Sequence, residues 1–495
     1  MPCAPRATGF PPRRCVQTAS GRQSRNAYVL LLLNFTKASN MSQTGRSSVF
    51  SAQTNGCFEK TRFTQACVAA RLAQRRIASP TESQSFVAAK AVRTQSSPPE
   101  KAAMRPLDGI TVVSLEHAIA APFCTRQLAD LGARVIKIER PKVGDFARGY
   151  DERVDGMSSH FAWTNRSKES LALDLKHQEA PAILQKILDK ADVLVQNLAP
   201  GAADRLGLSY EALSQRYPGI VVCDISGYGN DGPYRDKKAY DLLIQAESGF
   251  VSITGTPESP SKAGCSIADI AAGMYAYTNI LAALLQRGKT GKGAHIDVSM
   301  LESMVEWMSY PLYYAFDGAT PPPRAGASHA TIFPYGPFTA GDGKTIILGL
   351  QNEREWEAFC RVVLERPELT SDERFVTNSL RARSRVELTQ IITDAFAALD
   401  IDHVVERLER AQIANARMND MREVWNHPQL KARERWTSVR SPVGVIPALL
   451  PPGMPNAFEP RMDAIPALGE HSEHILRELG YTGDDVSRLR TEGAI

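Results

Sequence analysis

The stretch CSIADIAAGMYAY (265–277) holds one carboxylate, Asp269, in an otherwise apolar, small-residue run that continues into TNILAALL, with no basic residue between Lys262 and Arg287. An unpaired buried charge is costly, so the acid needs a reason to be there. As a helix N-cap or first-turn acid it meets unpaired backbone N–H groups, which favour both its oxygen and its charge. The same physics suits chemistry, because a helix amino terminus keeps a carboxylate ionised while an apolar wall leaves it poorly hydrated. An ionised, desolvated carboxylate is a nucleophile toward an activated acyl group.

Three other patterns carry less. The first strand is followed by EHAIAAPFC, with no G-x-G-x-x-G to admit a dinucleotide pyrophosphate. GCSIA (264–268) lacks the last glycine of a nucleophile elbow, and His471 and His474 have no third ligand for a metal. The chemistry therefore centres on Asp269, without a metal or a permanently bound cofactor.

The elements that position Asp269 read as α/β. ITVVSLE (110–116) is a buried strand, APFCTRQLADLG (121–132) a helix stopped by Gly132, and ARVIKIER (133–140) a second strand, which makes a βαβ unit and implies a parallel sheet. A helix at 177–192, strands at 193–198, 220–229 and 295–301, and a short helix near 209–216 continue the theme. DGATPPPRAGASHA (317–330) marks a boundary, followed by a hairpin around Asp342–Gly343 and amphipathic helices such as VELTQIITDAFAAL and HVVERLERAQI. From about 430 the chain turns extended and Pro-rich, ending in one helix, EHILRELG (473–480). The division is a leader and linker (1–105), a large Rossmann-like parallel-sheet domain (106–316), a smaller α+β domain (317–430) and a segment returning to the large domain (431–495).

The net charge of +4 hides an asymmetry: residues 1–105 carry 16 basic and three acidic residues, leaving about −9 on the remainder. Arg-rich, acid-poor and Ser-rich is the composition of an organellar transit peptide, so a mitochondrial matrix location is expected; translation from Met41 or Met104 would instead leave the protein cytoplasmic. YVLLLLNF (28–35) is too short to cross a bilayer, and no transmembrane segment is expected. The acidic body gives no reason to expect a nucleic-acid partner. Of eight cysteines, four lie in the leader and Cys124, Cys223, Cys265 and Cys360 are scattered, which fits a reducing compartment.

Several blocks occur in order: PLDGITVVSLEHAIAAPFCTRQLADLGARVIKIERPKVGDFAR (106–148), NRSKESLALDLK (165–176), ADVLVQNLAPGAADRLGL (191–208), AYDLLIQAESGF (239–250) and AGCSIADIAAGMYAYTNILAALLQRGKTGKGAHIDVSML (263–301). Together they resemble the family III CoA-transferases, the group that also holds α-methylacyl-CoA racemase and formyl-CoA transferase, across essentially 106–480. The resemblance implies an interlocked homodimer, coenzyme A thioesters as substrates, and Asp269 as the nucleophile that becomes an aspartyl-CoA thioester. It places CoA contacts at Arg140, Leu173, Lys176, Asn197, Arg205, Lys238 and Tyr240. The oxyanion segment HAIAAP (117–122) includes Ile119 and Ala120, with Ile119 where formyl-CoA transferase has a polar amide, which disfavours a formyl or oxalyl substrate. Tyr240 stands where the racemase has its histidine base, and a phenol titrating near 10 is a poor base at pH 7. The tail resembles the subgroup that takes CoA from succinyl-CoA to small dicarboxylates, itaconate first, with mesaconate, glutarate and citramalate as alternatives. Arg324 and His329 are the expected holders of the distal carboxylate. A non-catalytic acyl-CoA-binding protein would keep the cations without needing Asp269.

Overall fold

The computed structural model describes residues 104–453 and 456–495, so the leader and its transit-peptide reading lie outside the described residues. Six parallel strands, β1 (Thr111–Leu115), β2 (Arg134–Glu139), β3 (Lys168–Ala172), β4 (Val193–Gln196), β5 (Val221–Ser226) and β6 (Ala294–Ser299), form one sheet in the order β3-β2-β1-β4-β5-β6. This is the doubly wound order of the Rossmann fold, whose ligand crevice opens where the order reverses, here between the carboxyl ends of β1 and β4. Apolar residues line both faces of the strands, as a sheet covered on both sides requires. Val112, Val135, Val195 and Cys223 meet α1 (Ala120–Asp130) and α3 (Ile267–Thr290) on one face. Val113, Ile136, Leu171 and Val222 meet Ile183 and Ile187 of the 180–188 helix on the other.

By length and composition α3 would suit a membrane span, contrary to the expectation that no segment would, but Ala268, Ala271, Ala272, Ala276 and Ile280 are buried against the sheet and α1. Its small residues let the neighbours approach. A Cβ on Gly273 would stand 2.7 Å from the Ala120 carbonyl oxygen.

The smaller α+β part is a three-stranded antiparallel sheet (Tyr335–Thr339, Thr345–Gly349, Ala414–Arg417) backed by helices at Arg385–Ala397 and Ile401–Arg410 around its own core of Phe338, Trp356, Phe359 and Phe396. The chain then makes an antiparallel hairpin, Trp436–Ser441 with Gly444–Leu449. Two helices end it rather than the single one expected. The second, Gly483–Thr491, is mostly polar and reaches the large domain's core through Val486 and Leu489, too narrow a stripe to show a period. β3 was likewise not expected, because Lys168 and Glu169 break its apolar run. The strand at 295–301 stops at Ser299, whose hydroxyl accepts from the Glu302 N–H (3.2 Å) and caps the next helix.

Beneath the first turn of α1 lies a wholly buried ionic cluster. Lys137 donates to Asp145 (2.7 Å) and Glu116 (3.2 Å), and Lys168 donates to Glu116 (2.7 Å), to Asn165 Oδ1 (3.1 Å) and to the Pro122 carbonyl (3.0 Å). Thr125 of α1 donates to the other Glu116 oxygen at 2.6 Å. Burial would raise the Glu116 carboxyl, but the two lysines hold it down at about 2. Removing one partner from such a cluster strands its counter-charge in a low-dielectric interior. Lys137→Met is expected to lose about 3–5 kcal/mol of unfolding free energy in a denaturant titration; a loss below 1 kcal/mol would show that the cluster does not brace the fold.

Candidate active site

Three helix amino termini converge on Asp269. The residue lies in the first turn of α3, half-buried, and the backbone N–H of Ala120, first residue of α1, acts on its carboxylate as a favourable donor. Asp241, first residue of α2 (Asp241–Glu247), accepts the Ala268 N–H at 2.8 Å, one residue before Asp269. Helix amino termini concentrate positive potential and unpaired donors where negative charge must sit or develop.

Burial pushes the Asp269 carboxyl up, the Asp241 charge pushes it further, and the Ala120 N–H only partly offsets them, so it titrates at about 7. The sequence reading has the helix terminus keep this acid ionised against its poor hydration; in the structure burial, with the Asp241 charge, outweighs the backbone donor. Tyr150, half-exposed, lies within the field of Asp269 and of Tyr240, which itself is 72% exposed just before α2.

The turn carrying Ile119 and Ala120 is held from below. Asp145 accepts the Ala118 N–H (2.9 Å), and Asn197, after β4, clamps His117 by accepting its N–H (2.9 Å) and donating to its carbonyl (2.9 Å). This clamp spans the switch point between β1 and β4. Ala118 takes φ 61°, and Ile119 and Ala120 are buried.

The other expected CoA contacts follow the carboxyl ends of the strands. Arg140, exposed after β2, lies 4.9 Å from the centre of the Phe146 ring, which in turn packs on His117 at 4.8 Å. Lys176 is exposed after β3, whereas Leu173 is wholly buried in the core. Asn197 engages both ends of its amide on His117. Arg205 is exposed and lines a cleft of about 490 Å³ with Asp224, Arg235 and His295, a cleft whose walls do not include Asp269. Lys238 is exposed two residues before Tyr240. Arg324 donates to the carbonyls of Thr256 (2.8 Å), Pro257 (2.8 Å) and Ser252 (3.3 Å), tying the linker to the loop that leads to Asp269. His329 accepts at Nδ1 from the Ile332 (3.0 Å) and Thr331 (3.2 Å) N–H groups and stacks on Tyr335. Among the described residues no cluster of acids, histidines and cysteines suits a metal.

Sequence reasoning missed Asp241, Asp145 and the Glu116–Lys137–Lys168 cluster. A signal existed for the last: charged residues inside strands that must be buried on both faces need partners.

A family model, CoA-transferase family III, matches residues 107–472. The chain belongs to that family. It is 34% identical over 398 residues to the human succinyl-CoA:glutarate CoA-transferase, covering 79% of this chain and 90% of the relative. It is 37% identical over 330 residues to the acetyl-CoA:oxalate CoA-transferase of Acetobacter aceti, covering 66% and 84%. The crystal structure of a CaiB/BaiF family protein from Brucella suis matches with a TM-score of 0.68 at 33% identity, covering 76% of this chain and 99% of that one.

Two outcomes follow for this CoA-transferase. Gly273→Val forces α1 away from α3 at Ala120; displacing a donor by about 1 Å is expected to cost roughly 10²-fold in CoA transfer, and a rate within threefold of wild type would sink this assignment. The second concerns pH. Because the folded Asp269 carboxyl is raised above its unfolded value, the native state holds an extra proton between about pH 4 and 7 and loses stability as pH rises through that window. Asp269→Asn is therefore expected to melt a few degrees, about 2–4 °C, above wild type at pH 8 and level with it near pH 4, as read by calorimetry.

Proposed function

We propose that this enzyme moves CoA from succinyl-CoA to a small dicarboxylic acid through an aspartyl-CoA thioester on Asp269. The observation that carries the reading is a largely desolvated carboxylate, unanswered by any basic side chain among the described residues, held at converging helix amino termini with the Ala120 N–H acting on it. In this mechanism a carboxylate oxygen of Asp269 attacks the thioester carbonyl, the C–S bond breaks, and CoA leaves as its thiolate from a mixed anhydride. The thiolate then attacks the aspartyl carbonyl, releasing succinate and leaving the enzyme thioester. The acceptor carboxylate attacks that thioester, freeing the thiolate again, and the thiolate takes the acceptor's acyl group and returns Asp269 as carboxylate. No step needs water or a net proton, and the activation of the thioester is conserved. The Ala120 N–H, at the start of α1, is placed to donate to the oxyanions that develop at Asp269.

Arg140, Lys176, Arg205 and Lys238 would meet the CoA phosphates, with Tyr240 beside the thioester end; Leu173, wholly buried, and Asn197, whose amide is taken up by His117, brace that region from within rather than touching CoA. The dicarboxylate class rests on the relatives' names, glutarate in one and oxalate in another; itaconate is the acceptor we favour from the tail sequence, with mesaconate, glutarate and citramalate as competitors. His329 accepts two N–H groups at Nδ1 and so carries its proton on Nε2, where it can donate to a distal carboxylate; Arg324 holds the adjoining linker. A homodimer is supported by the exposed apolar run Trp307, Tyr310, Leu312, Tyr313 and Phe316, too large to leave in water. The basic, acid-poor leader supports import into mitochondria.

The decisive measurement is intact mass after incubation with succinyl-CoA, followed by addition of itaconate, mesaconate, glutarate or oxalate. Wild type is expected to gain a CoA adduct that one of the acids discharges as its CoA ester, and Asp269→Ala to gain none. An adduct on the alanine variant would move the nucleophile elsewhere, and deuterium uptake at the α-carbon of a branched acyl-CoA without transfer would move the enzyme to the racemase branch.

A further inference from the structure

The residue before α3, Ser266, makes no side-chain cap, so the helix that carries Asp269 takes its cap from elsewhere in the chain. Asp241 supplies it: one oxygen accepts the Ala268 N–H at 2.8 Å, and the other accepts Gln245 Nε2 at 2.7 Å. Gln245 is wholly buried, and its carbonyl oxygen accepts the Ala263 N–H at 2.8 Å. The Asp241 carboxylate is thus fixed on both oxygens, and directly or through Gln245 it ties the start of α2 to Ala268 and Ala263, on either side of the turn that delivers Asp269. A backbone cap alone does not require a charge, since an asparagine or serine serves as well. Here the cap is a carboxylate whose field acts on the one carboxylate that must react.

We propose that Asp241 is a positioning residue for CoA transfer, fixing the first turn of α3 through Ala268 and setting the charge environment in which Asp269 reacts. This rests on Asp269 being the acylated residue. Burial of its carboxyl and the Asp241 carboxylate both destabilise the ionised Asp269, and both the mixed anhydride and the aspartyl thioester are neutral at that position. Acylation therefore relieves the repulsion and the desolvation together, which raises the free carboxylate toward the level of its own thioester and makes the carboxylate a more basic nucleophile. The groups acting on Asp269 are Asp241 from α2 and the Ala120 N–H from α1, while Tyr150, on the segment after β2, in turn feels the charge of Asp269 and lies within the field of Tyr240.

The test is the pH dependence of adduct formation from succinyl-CoA and the equilibrium fraction of enzyme carrying CoA, in wild type, Asp241→Asn and Asp241→Glu. Asparagine keeps an acceptor for Ala268 and removes the charge. Its pH midpoint is expected to fall by about one unit or more, and its adduct fraction by about tenfold at fixed succinate and succinyl-CoA. Glutamate keeps the charge and is expected to keep the raised midpoint. If Asp241→Asn does not fold, Asp241→Ser provides the same uncharged acceptor. A midpoint unchanged in the uncharged variant, with wild type still forming its adduct, overturns this role and leaves the aspartyl mechanism standing. No adduct on wild type at any pH overturns both.

Discussion

The approach of α1 to α3 is the constraint on which the site depends. From below, Lys168 and Thr125 pull the first turn of α1 onto Glu116, and Lys137 completes the charge balance with Asp145, which in turn holds Ala118. From above, Gly273 leaves no side chain between the helices, so the Ala120 end of α1 comes within reach of Asp269. In an interior where charge is costly, the paired lysines cannot exchange their partners for water, and this rigidity keeps a backbone N–H aimed at one carboxylate.

The same low dielectric governs the reaction. Asp269 is raised by burial and by Asp241, and among the described residues no basic side chain answers it as the lysines answer Glu116. The contrast between the two acids is instructive. Glu116 is fully compensated and purely architectural, whereas Asp269 is left undercompensated and accessible to an acyl group, which is how a fold can set one carboxylate to hold structure and another to react.

The parallel sheet was legible because strands buried on both faces read as continuous apolar runs, as in ITVVSLE and VVCDIS, and because Gly132 (φ 109°) closes α1 where a side chain would be strained. β3 was not legible, since Lys168 and Glu169 look like solvent-facing residues until Glu116 and Arg134 are known to be their partners. The last helix escaped for a related reason: Thr482 caps it well, but only Val486 and Leu489 report its buried side. For the site, the lone acid in a small-residue helix was visible. Its shifted titration was not, because the burial that mainly causes it and the Asp241 charge that adds to it both come from other elements of the fold.

By itself the sequence determined the strand and helix succession of the large domain, the amino-terminal position of Asp269 on its helix, and the ordered blocks that mark the family. Those are local periods and spacings, written within a few residues of one another. Tertiary structure alone decided what Asn197 and Arg324 hold, and that Asp241 rather than Ser266 caps the nucleophile's helix. Asn197 meets His117 across 80 residues and Lys168 meets Glu116 across 52, and no local pattern records a partner that far along the chain. Whether a charged side chain is a ligand, a brace or a cap depends on which groups surround it in a medium of low dielectric, and only the folded chain supplies those surroundings.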